Sequence, residues 1–212
     1  MTKETMTVHM LLSELKTIEK RIEKAIKAIT PIATKENASK NVNGIKIEDY
    51  TKTTEAEERR ALDLIARQNA MKGVLYKYNA EKEIKVGDVS MTIAHALWLK
   101  EYGMAQKRAL LDHYERAYTK ARTEVETANG NALNAAAERA ADVSCGSKDK
   151  SNSEEYMKTI EQYKESHRKV YVDPLDLKER INALSEEIAT FDAEVDARIQ
   201  TANAITEVTI EY

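Results

Sequence analysis

Near both ends of the chain, apolar residues recur in alternating steps of three and four, and that rhythm permits one local structure. It starts at Val8 and continues through Leu11, Leu15, Ile18, Ile22, Ala25 and Ile29, while the opposed charges of KTIEKRIEKAIK fill the intervening positions. It returns as Leu177, Ile181, Leu184, Ile188, Phe191, Val195 and Ala202, with Ile199 taking the beat where Arg198 interrupts it. An α-helix turns once in about 3.6 residues, so each series lines one face with a coiled-coil-like seam. The two seams are similar in length, so the first and last helices are expected to pair, Leu15, Ile18 and Ile22 against Leu184, Ile188 and Phe191. Pro31 stops the first. Punctuation is sparse, with six glycines and two prolines in 212 residues. The expected fold is therefore mainly α, a long-helix, coiled-coil-like bundle with a small β element.

Between the seams the pattern changes several times. In NVNGIKIEDY, Asn43-Gly44 is a turn signal, and Ile45 and Ile47 alternate with Lys46 and Glu48, which predicts a short strand or hairpin arm. A second helix is expected from about Thr54, where Thr54 and Glu57 have capping-box spacing, with Ala61, Leu62, Ile65, Asn69 and Tyr76 along its stripe. Gly87 and Asp88 then turn the chain, and Ser90 or Thr92 can cap a new helix. With no proline from Met91 to Cys145, that helix can pass through Leu97, Met104, Leu111, Tyr114, Tyr118, Ala121 and Val125. Asn129-Gly130-Asn131 marks a possible break, because glycine costs about 1 kcal/mol against alanine inside a helix. Beyond it the stripe is almost all alanine. A polar loop at 144–152, a short helix over SEEYMKTIEQYKESH, a strand at KVYVD ended by Pro174, and a terminal strand at VTIEY complete the reading. Residues 1–125 and 167–212 are expected to form the bundle with its short strands, and 126–166 a helical arm or insertion.

Charge and composition exclude several classes. Thirty-three basic and 36 acidic side chains are interspersed to a net −3, so no nucleic-acid footprint is visible. No stretch approaches the roughly 20 apolar residues of a membrane span, and MTKETMTVHMLLSELK carries too many charges for a secretory leader. A cytoplasmic location is the expectation. The single Cys145 suits a reducing compartment.

Chemical motifs are few. His9, His95, His113 and His167 are scattered, and no His-x-x-x-His or Glu-x-x-His pair sets metal ligands on one helical face. Asp112 and His113 are neighbours, and adjacent helical residues diverge by about 100°. Asp192, Glu194 and Asp196 read as a solvated acidic face. Cys145 has no nearby histidine to activate it. Tyr76, Tyr78, Tyr102, Tyr114 and Tyr118 suit helix interfaces better than base stacking. No catalytic residue, cofactor site or metal site is expected. In ARIQTANAITEV, two alanines, Asn203, Thr201 and Thr206 replace the seam, which suits a helix end, since asparagine tolerates the cap conformation and threonine bonds to nearby backbone. Asn69 and Asn203 are candidates for a register-fixing pair across the bundle.

Four segments, LLSELKTIEKRIEKAI, LIARQNA, SMTIAHALWLKE and DLKERINALSEEIATFDAEVDARIQTANAITEV, together resemble a septicolysin-like family of small helical proteins of bacteria and their phages. Asp192, Ile199, Gln200 and Asn203 fall where that family's closing helix has an Asp, an Ile-Gln and an Asn. The chain departs from the pattern at Ala204, where a Trp is expected, and over 126–165, which reads as an insertion. Nothing resembles a membrane-inserting segment, so the cytolysin activity suggested by the label is not carried over.

Two function classes remain. The first is a non-enzymatic structural or assembly protein forming a symmetric homo-oligomer, most plausibly an accessory capsid or tail component of a phage, assembled in the host cytoplasm with other virion proteins. Alanine-striped helices gain little by burying single methyl groups, and short strands want pairing. Ala136 and Ala140 on the arm, and Val208 and Ile210 on the terminal strand, are the expected interface residues. The second is a cytoplasmic helical bundle that binds a small ligand or metal.

Overall fold

A computed structural model describes residues 2–145 and 154–212 and shows a mainly α chain with three two-stranded antiparallel sheets. Most of the polar loop expected at 144–152 lies outside the described residues. The chain divides into two compact units, Met1–Lys100 with Thr190–Tyr212, and Glu101–Ala189.

The first unit begins with a strand that the sequence reading did not anticipate. Strand β1 (Lys3–Thr7) pairs with the closing strand β6 (Glu207–Glu211), with Thr5 opposite Thr209 and Lys3 opposite Glu211. Alternation puts Lys3, Thr5, Glu211 and Thr209 on one face and Glu4, Met6, Val208 and Ile210 on the other. Thr7 then caps helix α1 (Val8–Ala28), its hydroxyl accepting from the Met10 N–H. The α1 seam is as expected: Val8, Leu11, Ile18 and Ala25 are buried.

The hairpin of strands β2 (Asn41–Val42) and β3 (Ile45–Lys46) turns through Asn43 and Gly44, at φ 52° and 79°. Positive φ at both loop positions is what a type I′ turn requires. Helix α2 (Ile47–Glu81) follows at once, so Ile47 is helical and the expected start near Thr54 is corrected. Glu48 and Asp49 in its first turn complement the positive end of the helix dipole, and Thr54 lies inside the helix.

The stripe on α2 also differs from the expectation. Of the expected residues Ala61 is buried and Ile65 half-buried, but Leu62, Asn69 and Tyr76 face solvent, and Met71 and Tyr78 are buried in their place. The reason is the partner: α1 lies against α2, and Leu11, Ile18, Met71 and Ile210 form one core with Leu15, Ile22, Leu64, Val74, Leu75 and the inner face of the β1–β6 ribbon. The expected pairing of the first and last helices is therefore replaced by an α1–α2 pair.

Strands β4 (Glu83–Val86) and β5 (Val89–Thr92) form a hairpin where only a turn was expected. Ile84 and Val86 are buried on one face and Lys85 points away. Gly87 has φ +56°, and a Cβ there would meet Thr190 Cγ2 at 3.0 Å, so no other residue fits this turn without strain. Thr92 caps helix α3 (Ile93–Trp98), accepting from the His95 N–H.

A π-helical stretch, Leu99–Gly103, leads into α4 (Met104–Ala128). The long helix expected from Met91 thus begins at Ile93, is interrupted once by this stretch, and ends at Asn129-Gly130 before α5 (Asn131–Cys145). In the second unit α5 packs against α6 (Glu154–His167) as a helical hairpin, with Ala137 and Ala141 fully buried against Tyr156 and Ile160. Small side chains let the two helices approach. The expected KVYVD strand does not form: residues 168–173 carry no regular structure, and Val170 and Val172 are exposed. β-propensity expresses itself only against a partner edge, and among the described residues this segment pairs with none. Asp173 caps helix α7 (Leu177–Ile205), its carboxylate accepting from the N–H groups of Leu175 and Leu177 at 3.2 and 2.8 Å. Along α7 the expected seam holds, with Ile188, Phe191, Val195 and Ala202 buried and Arg198 exposed.

Candidate functional site

The residues singled out in the sequence do not converge. Asn69 is exposed on α2, and no hydrogen bond joins it to Asn203. Asn203 is half-buried near the end of α7, with its Oδ1 buried and unpaired. ARIQTANAITEV is thus the last turns of a helix followed by strand β6, and the Thr206 carbonyl accepts from the Val8 N–H at 3.0 Å. Val208 and Ile210 face the core of their own unit, Ile210 completely. Ala136 and Ala140 are half-buried on α5, each one residue before the alanines that fill the α5–α6 contact.

The best-connected polar cluster lies under the β1–β6 ribbon. Arg67 on α2 donates to Glu4 Oε2 at 2.5 Å and to Glu14 Oε2 at 3.0 Å, and Tyr212 donates to Glu4 Oε1 at 2.7 Å. The guanidinium also sits 5.7 Å from the Tyr212 ring centroid. One planar fork thereby ties α2 to the first strand and the first helix, a geometry available to arginine and not to lysine. The hydrogen bond to Glu4 pushes the Tyr212 phenol up from its ordinary value. Burial does the same to Tyr78, against the pull of the neighbouring Thr206 side chain. These groups hold structure together; none presents a nucleophile beside a base.

The acidic run on α7 is structural as well as solvated. Glu194 accepts from the Gly87 N–H at 3.2 Å and pairs with Arg198, and these contacts hold its carboxyl below the usual range. Asp196 pairs with Lys100 at 2.5 Å. Among the described residues, no group of three or more His, Cys, Asp and Glu side chains could hold a metal ion.

One dyad escaped the sequence reading: Ser166 Oγ lies 2.9 Å from His167 Nδ1 at the end of α6. The same Nδ1 lies 2.9 Å from the Tyr163 carbonyl, which can only accept, so Nδ1 carries the proton. A protonated Nδ1 cannot act as base toward Ser166. The imidazole instead stacks on Tyr163 at 3.9 Å and finishes the helix.

The second unit holds a groove of about 540 Å³, lined by Tyr118, Ala121 and Val125 of α4, Leu177 of α7, and the segment 169–173. Asn129, at the break between α4 and α5, pins that segment: its Nδ2 donates to the Lys169 carbonyl and its Oδ1 accepts from the Lys169 N–H, both at 2.8 Å. Lys169 Nζ pairs with Glu124 at 2.6 Å, and that hydrogen bond holds the Glu124 carboxyl below the usual range. Val170, Tyr171, Val172 and Leu175 remain exposed beside the groove.

No helix among the described residues is long and apolar enough to cross a membrane. Compared with models of known protein families, with curated proteins and with solved structures, the chain matches none.

Proposed function

We propose that this chain is a non-enzymatic structural or assembly protein that works as a homo-oligomer, most plausibly an accessory component of a phage particle, related to the septicolysin-like proteins it resembles and assembled in the host cytoplasm. The observation that carries the reading is surface. Large apolar side chains lie at it in both units: Val143, Val172 and Ile205 are 86%, 92% and 72% exposed. A surface of that composition is what association removes from water.

The alanine-striped hairpin supports the same reading. Ala137 and Ala141 are consumed by α6, which leaves Ala136, Ala140 and the exposed Val143 on a neighbouring face of α5. The test is the native mass of the parent and of an Ala136→Glu/Ala140→Glu variant by sedimentation. An oligomeric parent and a variant of lower mass with unchanged helicity are expected. A parent that sediments as a single chain at every concentration overturns the proposal, and a stoichiometric bound metal or small molecule in native mass spectra would favour the ligand-binding reading instead.

A further inference from the structure

The segment Lys169-Val170-Tyr171-Val172-Asp173 has strand composition, no strand partner, and two apolar side chains at the surface, with Val172 92% and Val170 64% exposed. In an extended backbone, the N–H and C=O of alternate residues point to opposite edges. Asn129 occupies both backbone groups of Lys169 and thereby marks the inner edge. Extended pairing then turns the backbone groups of Val170 and Val172 to the outer edge, and neither takes a hydrogen bond among the described residues.

We propose that this segment pairs antiparallel with the same segment of a second copy of the chain, about a twofold axis through Tyr171. Its side chains are self-complementary in that register. Lys169 falls opposite Asp173 of the second copy, Val170 opposite Val172, and Tyr171 opposite itself, so the two ends of the ribbon bring opposite charges together. Val170 and Val172 supply the hydrogen-bonded pairs, and Lys169 keeps its backbone on Asn129. Parallel pairing would set Lys169 against Lys169 and Asp173 against Asp173, and an antiparallel register centred on Val172 would put Pro174, which has no N–H, opposite Val170.

The existing contacts of the two charged residues survive the pairing. Lys169 Nζ holds Glu124 yet its side chain is 53% exposed, and an ammonium has three donors. The Asp173 carboxylate caps α7 and has further lone pairs to offer. The contact is isologous, each copy presenting the same patch, as closed twofold assemblies require.

The inference rests on the assembly reading, and cross-linking separates the two. In a Cys145→Ser background, Tyr171→Cys is expected to form a covalent dimer under mild oxidation, because residues in a non-hydrogen-bonded antiparallel pair stand about 4.5 Å apart at Cα, within disulfide reach. Val172→Cys faces Val170 rather than itself and is expected to cross-link several-fold less. Independently, Val172→Lys alters a side chain that packs on almost nothing in its own chain, and it is expected to weaken self-association at least tenfold in sedimentation equilibrium. If the parent is oligomeric but Tyr171→Cys cross-links no faster than Val172→Cys, or if Val172→Lys associates like the parent, the segment pairing is overturned while the assembly reading stands. A parent that is a single chain at every concentration overturns both.

Discussion

The side-chain amide of Asn129 captures both backbone groups of Lys169, two hydrogen bonds of 2.8 Å that span 40 positions of sequence. A side-chain amide sets an N–H donor beside a C=O acceptor, so asparagine can meet both backbone groups of one residue, as a neighbouring strand would. Asn129→Ala should release residues 168–173 and cost on the order of 1 kcal/mol, given what exposed hydrogen bonds contribute net of water. Hydrogen exchange checks it: protection of the Lys169 amide should fall in the variant while α5 and α6 keep theirs.

Arg67 bridges Glu4 and Glu14 with its side chain only 17% exposed. Removing the guanidinium leaves two half-buried carboxylates without their cation, so Arg67→Ala should destabilise the first unit by about 2 kcal/mol, as for charged hydrogen bonds generally. Arg67→Lys should recover only part of this, since one ammonium cannot fork to both acids. Chemical denaturation of the two variants beside the parent measures both effects.

Tyr212 donates to Glu4, and its phenol is raised above the ordinary value of 10.0. A raised folded value means that the protonated phenol is favoured by folding. The stability it adds is complete below the ordinary value and is lost as pH rises through the raised one. Parent and Tyr212→Phe should therefore differ in urea midpoint at neutral pH and converge at strongly alkaline pH. A gap that stays constant across that range would assign the difference to packing.

The stripe on α2 can be tested by contrast. Met71 is fully buried and Leu62 is 58% exposed. Met71→Ala should cost about 2 to 5 kcal/mol, as core truncations do, and Leu62→Ala within about 0.5 kcal/mol of nothing. Reversed magnitudes would restore the stripe read from the sequence.

Periodicity is local, and so the chain by itself determined where most helices lie: the seams of α1 and α7, the turn at Asn43-Gly44 and the Thr92 cap depend on residues within a few positions of one another. The break at Asn129-Gly130 was legible for the same reason. Which seam meets which was not. Helix α2 carries two overlapping apolar series, one through Leu62 and Tyr76 and one through Leu64, Met71 and Tyr78, and only the presence of α1 and the β1–β6 ribbon selects the second. Strand β1 is hidden in the sequence because its partner stands at the opposite end of the chain, and KVYVD reads as a strand because propensity does not show whether a partner edge is within reach; among the described residues it pairs with none. The candidate surface was equally hidden, since Asn129 and Lys169, like Arg67 and Glu4, become neighbours only when the chain has folded. Spacing along a helix is set by bond geometry; contact between distant elements is set by which apolar faces find each other, and that is decided in three dimensions.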